Sequence, residues 1–398
     1  MRPLAVYVHI PFCTVKCGYC DFNAYAGMEG LAGEYGRALV EEVRSWGSVL
    51  GGRDVATISF GGGTPGEFPA PAIAAVIGAI ASAGRLMTGA EVSLEANPGT
   101  TTLADLHELR AASVTRISFG AQSFDPAELH FLDRIHSPEA TAQSVALARQ
   151  AGFDSVNLDL IYGLPGQSLD SWARSLARAI ELRPDHLSCY GLTIEEGTPL
   201  ARKVAAGAVV PIDPDVAADM YELTERCAGD AGFRHYELSN WCHPGHESRH
   251  NLTYWTDGEY LGIGAGAHGY LRGPAGQTTR YENIAHPREY VAAARAAEEA
   301  PRGFPATVLN SYEPARTTAM VDWFETALRL VDGFSPDAFT ARFGVPLAAV
   351  AGTALGECRD AGLVDWLSSV VRLTARGRLL HGEICARFLA HLWAEEGR

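Results

Sequence analysis

The stretch His9-Ile10-Pro11-Phe12-Cys13-Thr14-Val15-Lys16-Cys17-Gly18-Tyr19-Cys20-Asp21-Phe22 decides the reading, because three of the chain's eight cysteines stand in it at the spacing C-x3-C-x2-C. Thiolate sulfur is the soft ligand that iron-sulfur clusters select, and a four-iron cubane held by three cysteines leaves one iron open to a further ligand. The preceding run, Leu4 to Ile10, has the β-branched and aromatic content of a strand, whereas Pro11 and Gly18 mark the cysteine stretch as a loop. A structural zinc site usually takes four ligands in two separated pairs, and no second C-x-x-C follows to complete one.

Working outward, 398 residues suggest one large domain and a smaller one. Apolar content of 47% with 20% charged residues describes a soluble globular chain. A formal charge of -15 disfavours a nucleic-acid partner, and electrostatics alone leaves only a local patch for contact with an anionic membrane surface. The chain has no uninterrupted apolar run of about 18 residues and no signal-peptide pattern at its start, so a cytoplasmic, reducing location is expected without an integral membrane segment. Cys189, Cys227, Cys242, Cys358 and Cys385 are scattered and read as small buried residues rather than a disulfide framework.

Apolar strand-like runs at Leu4 to Ile10, Thr57 to Phe60, Glu91 to Glu95, Arg116 to Phe119, Ser155 to Ile161 and His186 to Tyr190 alternate with helix-like stretches. Those stretches are Leu31 to Leu50, Pro71 to Ser82, Leu103 to Ala112, Ala140 to Ala151 and Asp170 to Glu181. This alternation predicts an α/β fold, a parallel sheet with crossover helices, and the strands end in polar or glycine-rich residues where such folds place their sites. Gly61-Gly62-Gly63-Thr64-Pro65 lacks the Gly-Lys-Ser/Thr ending of a phosphate-binding loop and reads as a glycine-rich strand-to-helix turn. Asp159, in the stretch 157–166 that combines a strongly apolar strand with an aspartate, needs a partner or a ligand, since burying it unpaired is costly. Arg134, in a helix-like stretch, reads on its own as a solvated charge.

The words Tyr7-Val8-His9-Ile10-Pro11-Phe12-Cys13 and Cys20-Asp21-Phe22 around the cysteines resemble the radical S-adenosylmethionine (SAM) family, in the branch that holds oxygen-independent coproporphyrinogen III oxidase and a group of heme chaperones. The resemblance extends over nearly the whole chain. It implies a partial (β/α)6 barrel, a 4Fe-4S cluster on Cys13, Cys17 and Cys20, and SAM at its open iron. By the same resemblance, Gly62, Gly63 and Thr64 approach the methionine end of SAM, where a missing Cβ would permit close contact. Tyr7, Tyr19, Glu95, Gln122, Arg134 and Asp159 match further SAM contacts. Such types suit the ligand: a guanidinium for its carboxylate, carboxylates and amides for its ammonium and hydroxyls.

Farther on, His250-Asn251-Leu252-Thr253-Tyr254-Trp255 matches the HNxxYW word of the heme-chaperone group. It makes His250, Asn251, Tyr254 and Trp255 candidates for heme, since a neutral imidazole can ligate iron and aromatic rings can cover a porphyrin face. His250 alone would read as a turn-bonding histidine. His243 and His246 flank Pro244-Gly245 and read as a turn as much as a metal site. Oxidases resembling this chain carry a fourth cysteine two residues after the third, where Phe22 stands here, so a chaperone passing heme to recipient hemoproteins is preferred and the decarboxylating oxidase is the alternative. The expected units are a radical SAM barrel over 1–200, a barrel extension with the heme word over 201–299, and a small winged-helix-like, mainly helical unit over 300–398. Within the last unit a basic stripe is missing, which disfavours nucleic acid.

Overall fold

The computed structural model describes residues 3–273, 276–296 and 303–396. Six strands run parallel in sequence order: β1 (Leu4–Ile10), β2 (Asp54–Gly62), β3 (Arg85–Ala96), β4 (Arg116–Gln122), β5 (Ser155–Tyr162) and β6 (His186–Gly191). Beyond β6 the sheet gains β7 (Arg234–Glu237) and β8 (Asn240–Cys242); beyond β1 it gains β9 (Tyr260–Ile263), β10 (His268–Arg272), β11 (Thr278–Asn283) and β12 (Val308–Tyr312). The order β12-β11-β10-β9-β1-β2-β3-β4-β5-β6-β8-β7 is open at both ends, a partial barrel.

Each of the six anticipated strand runs lies inside one of these six parallel strands. Strands of a parallel sheet are covered on both faces, which is why β1 has six buried residues in seven and reads as a continuous apolar run. The helix Ala32–Ser45 turns Tyr35, Leu39 and Val43 onto the sheet at i, i+4 and i+8, and burying such side chains contributes about 1.5–3 kcal/mol each. Glu42 on the same helix is buried too, because four groups satisfy it: Asn283 Nδ2 at 2.7 Å, Gly264 N at 2.8 Å, Tyr290 Oη at 2.6 Å and Thr307 Oγ1 at 2.8 Å. This carboxyl pins the turn between β9 and β10, while burial pushes its own pKa up.

A second core gathers Met320, Trp323, Phe324, Phe339, Leu355 and Phe388 beneath a short antiparallel pair, Val364–Trp366 with Val371–Leu373. These residues form a small, mainly helical C-terminal domain. Strand β12 falls inside the segment assigned to that unit, yet it pairs with β11 of the main sheet; the second core takes its residues from Met320 onward, with Leu238 of the barrel extension joining it. The domain is tied to the barrel by Arg329 on Glu237 at 2.9 Å, Arg342 on Asp257 at 3.1 Å and Asp322 on Arg280 at 2.8 Å.

Candidate functional site

The loop after β1 carries the three cysteines and is held from both sides. Thr64 N donates to Phe12 O at 2.7 Å and Cys13 N donates to Tyr25 O at 3.1 Å. Asn23 Nδ2 reaches Ala265 O at 3.0 Å and Ala285 O at 2.9 Å, fastening the loop to the β9–β10 side. The glycines of the 61–65 turn answer to this packing. A Cβ on Gly63 would stand 2.4 Å from Phe12 O, and one on Gly62, whose φ is +116°, would stand 2.5 Å from the His9 ring. A side chain at either position would thus collide with the end of β1 or with the cysteine loop.

Cys13, Cys17 and Cys20 are free thiols facing one cavity of about 460 Å³ at the carboxyl ends of the parallel strands. Thr64 Oγ1 donates to Cys13 Sγ at 3.5 Å, and Arg134 Nη1 donates to Cys17 Sγ at 3.6 Å, so two sulfurs already have the donors that a thiolate prefers. Burial pushes the Cys13 and Cys20 thiols up. Among the described residues no three His, Cys, Asp or Glu side chains converge on one point as a single-ion site. A cubane offers its irons at separate corners, so three thiols spread round a shared cavity suit it.

Tyr19, Gly62, Gly63, Thr64, Glu95, Gln122, Arg134 and Asp159 line this cavity, and Asn251 joins them from the helix Arg249–Trp255. Glu95 lies deep in the barrel but opens onto the cavity; desolvation, then Asp159, pushes it up to about 7, while Gly62 N donates to it at 3.3 Å. Water in the open cavity works against that rise. Asp159 is raised as well, chiefly by burial, with Ser118 Oγ donating to it at 2.7 Å and Asn157 Nδ2 at 2.8 Å. The partner that Asp159 needs is thus supplied by neighbouring strands, and two carboxyls that resist joint ionisation suit a cationic ligand. Arg134 follows the helix Pro126–Phe131 and does not lie in a helix: Asp133 turns the chain at φ +53° and aims the guanidinium inward. There it donates to Gly120 O at 2.7 Å and to Asn97 Oδ1, leaving a buried Nε without a partner. Gln122 sits at φ +62°, a conformation unfavourable for a side chain that bears a Cβ, and it faces the same space.

Tyr7 falls elsewhere. It lines a second cavity of about 610 Å³ between the barrel and the C-terminal domain, together with Tyr254 and Trp255. Phe22, Gly62 and Glu95 border both cavities. The HNxxYW word is therefore divided by its helix, Asn251 toward the first cavity and Tyr254 and Trp255 toward the second. His250 points into the protein. It is buried, its Nδ1 shares a 2.8 Å hydrogen bond with Thr57 Oγ1 and its Nε2 one of 2.7 Å with Tyr254 Oη, so its ring has no free nitrogen for heme iron. Burial pushes its pKa down to about 3.

An imidazole kept neutral in the folded chain binds a proton in the unfolded chain below its ordinary 6.5, so stability is present above pH 6.5 and is lost as pH falls toward 3. His250→Gln should remove about 1.4 kcal/mol per pH unit from that acid slope. Urea unfolding at pH 5 and pH 7.5 checks this, and equal slopes in parent and variant would contradict it.

Residues not anticipated from the sequence complete the wall: Asn97, Ser118, Asn157 and Ser188, with Asn157 Nδ2 bridging Ser118 Oγ at 2.6 Å and Ser188 Oγ at 3.0 Å. A polar residue recurring at the inward position of successive apolar strands was the available signal.

A cysteine-bearing loop at the mouth of a partial parallel barrel defines the class. Residues 7–179 match the Radical SAM superfamily and residues 317–380 match the HemN C-terminal domain. Along 386 residues the chain is 39% identical to the heme chaperone HemW of Mycobacterium tuberculosis (strain ATCC 25618 / H37Rv), covering 95% of this chain and 93% of that one. It is 40% identical to the Escherichia coli (strain K12) HemW over 73% and 76%. The chain belongs to the HemW heme chaperone family. Its fold also matches the Escherichia coli structure titled "Coproporphyrinogen III oxidase (HemN) from Escherichia coli is a Radical SAM enzyme", with TM-score 0.83 and 25% identity over 98% of this chain and 91% of that one.

Proposed function

We propose that this chain is a heme chaperone that binds a 4Fe-4S cluster through Cys13, Cys17 and Cys20, holds SAM beside it, and carries heme to recipient hemoproteins. The observation supporting this most is that the thiol-lined cavity shares a wall, Phe22, Gly62 and Glu95, with a larger cavity lined by aromatic rings. A reduced cluster supplies one electron to the sulfonium of a bound SAM. The chain's part is to hold and orient. Glu95 and Asp159 suit the ammonium and hydroxyls of SAM, Arg134 suits its carboxylate, and the N–H from Arg134 to Cys17 steadies negative charge on sulfur. A cytoplasmic location belongs to the same proposal; among the described residues no helix is long and apolar enough to cross a membrane.

Asp159→Ala and Glu95→Ala should each weaken SAM binding by about 1–3 kcal/mol, read by calorimetry on the cluster-loaded chain. Because Glu95 is pushed up to about 7, it is protonated in acid, so the loss from Glu95→Ala should shrink below pH 7. Unchanged affinity in both variants would reject these contacts.

The match to the oxidase fold favours a second reading, decarboxylation of coproporphyrinogen III. Against it, Phe22 puts a ring, 60% exposed, where the resembling oxidases have a thiol. Heme uptake beside coproporphyrinogen conversion in one preparation tests the function: uptake without conversion supports the chaperone, and the reverse overturns it.

A further inference from the structure

We propose that heme carried by this chain lies in the aromatic cavity between the barrel and the C-terminal domain with its iron ligated by His268. This rests on the heme-chaperone reading and deepens it. Two histidines line that cavity, His9 and His268. His9 is buried and occupied on both nitrogens: Nε2 donates to Asn23 O at 2.9 Å, which leaves Nδ1 to accept from Tyr7 Oη at 3.0 Å. His250, behind the wall, is bonded on both sides as well. The ring of His268 is exposed to the cavity and makes no hydrogen bond with any of the described residues. An imidazole with a free nitrogen facing a cavity of this size is a ready iron ligand.

Its backbone is fixed in advance. His268 opens β10 opposite Glu282, and the turn before it is held by Gly264 N on buried Glu42 at 2.8 Å, Ala265 N on Tyr35 Oη at 2.7 Å and Asn283 N on Ala267 O at 2.9 Å. A Cβ on Gly262 would stand 1.9 Å from His268 O, so the two strands meet as closely as glycine permits. A ligand carried on so restrained a strand gives up little freedom on binding. Tyr254, Tyr260 and Tyr270 line the same cavity, Tyr254 edge-on to Tyr260 with ring centroids 4.7 Å apart and Tyr260 tilted against Tyr270 at 6.1 Å, an aromatic wall for an apolar macrocycle. At about 610 Å³ the cavity falls within the usual range for an organic ligand of this kind.

Ferric heme titrated into the parent, His268→Ala, His268→Met and His250→Gln chains, followed by absorption and electron paramagnetic resonance, tests the assignment. Losing even a group behind a metal ligand costs about 10–100-fold in affinity, so His268→Ala should bind heme at least that much more weakly, with an altered spectrum that free imidazole restores. His268→Met should give a third spectrum, because thioether and imidazole ligands leave the iron in different electronic states. His250→Gln should keep the parent spectrum. Parent-like spectra and affinity in both His268 variants would overturn the assignment while leaving heme carriage standing. A parent chain that takes up no heme would overturn both.

Discussion

A chain with Cys13, Cys17 and Cys20 all replaced by alanine should leave anaerobic reconstitution without cluster iron, whereas the parent should acquire one oxygen-sensitive 4Fe-4S cluster. The expectation is all-or-none because the three thiols are the sulfur donors on that cavity, and the remaining five cysteines lie outside its lining. Binding must also draw protons off the thiols. Burial pushes Cys13 and Cys20 up in the metal-free chain, so cluster loading should release protons and proceed better at mildly alkaline than at acid pH. Iron content and proton release can be read in the same titration. Unchanged iron in the triple variant would remove the cysteine loop as the cluster's holder and, with it, the basis for placing SAM beside it.

How much of this was visible in the sequence differs between the strands and the site. The parallel strands were legible because a strand covered on both faces writes itself as a nearly unbroken buried run, clearest in β1 and β5. The cysteine loop was legible because three sulfurs at close spacing have few other uses. What the runs could not carry was direction and distance. Arg134 looks like part of a helix until the left-handed Asp133 turns the chain, and nothing in Leu-Asp-Arg announces that turn. The Gly61-Gly62-Gly63 run does not reveal which atoms crowd it: those nearest Gly61 belong to Tyr7 and Glu95, those nearest Gly62 to His9 and those nearest Gly63 to Phe12. None is near in sequence.

The second cavity was the least legible. Its walls come from the cysteine loop, the 249–255 helix, the β9–β10 hairpin and the C-terminal domain, segments brought together by contacts such as Asn23 with Ala265 and Ala285. Local periodicity holds no trace of such pairings. The same is true of His250: the motif names the residue, but only the fold shows that Thr57 and Tyr254 occupy its ring. Strand β12 was placed with the terminal unit for a similar reason, since a run of five residues, none of them fully buried, does not reveal that it pairs with β11.

The second large effect concerns the function itself, and one preparation suffices to measure it. Purified, cluster-loaded chain is divided between a heme titration and an assay with coproporphyrinogen III, SAM and a reductant. The aromatic cavity beside the thiol-lined one and the ring of Phe22 in place of a thiol lead to one expected pair of results: heme binds at one per chain, and coproporphyrinogen III is recovered unconverted. Conversion to protoporphyrinogen IX by a chain that takes up no heme would contradict the account.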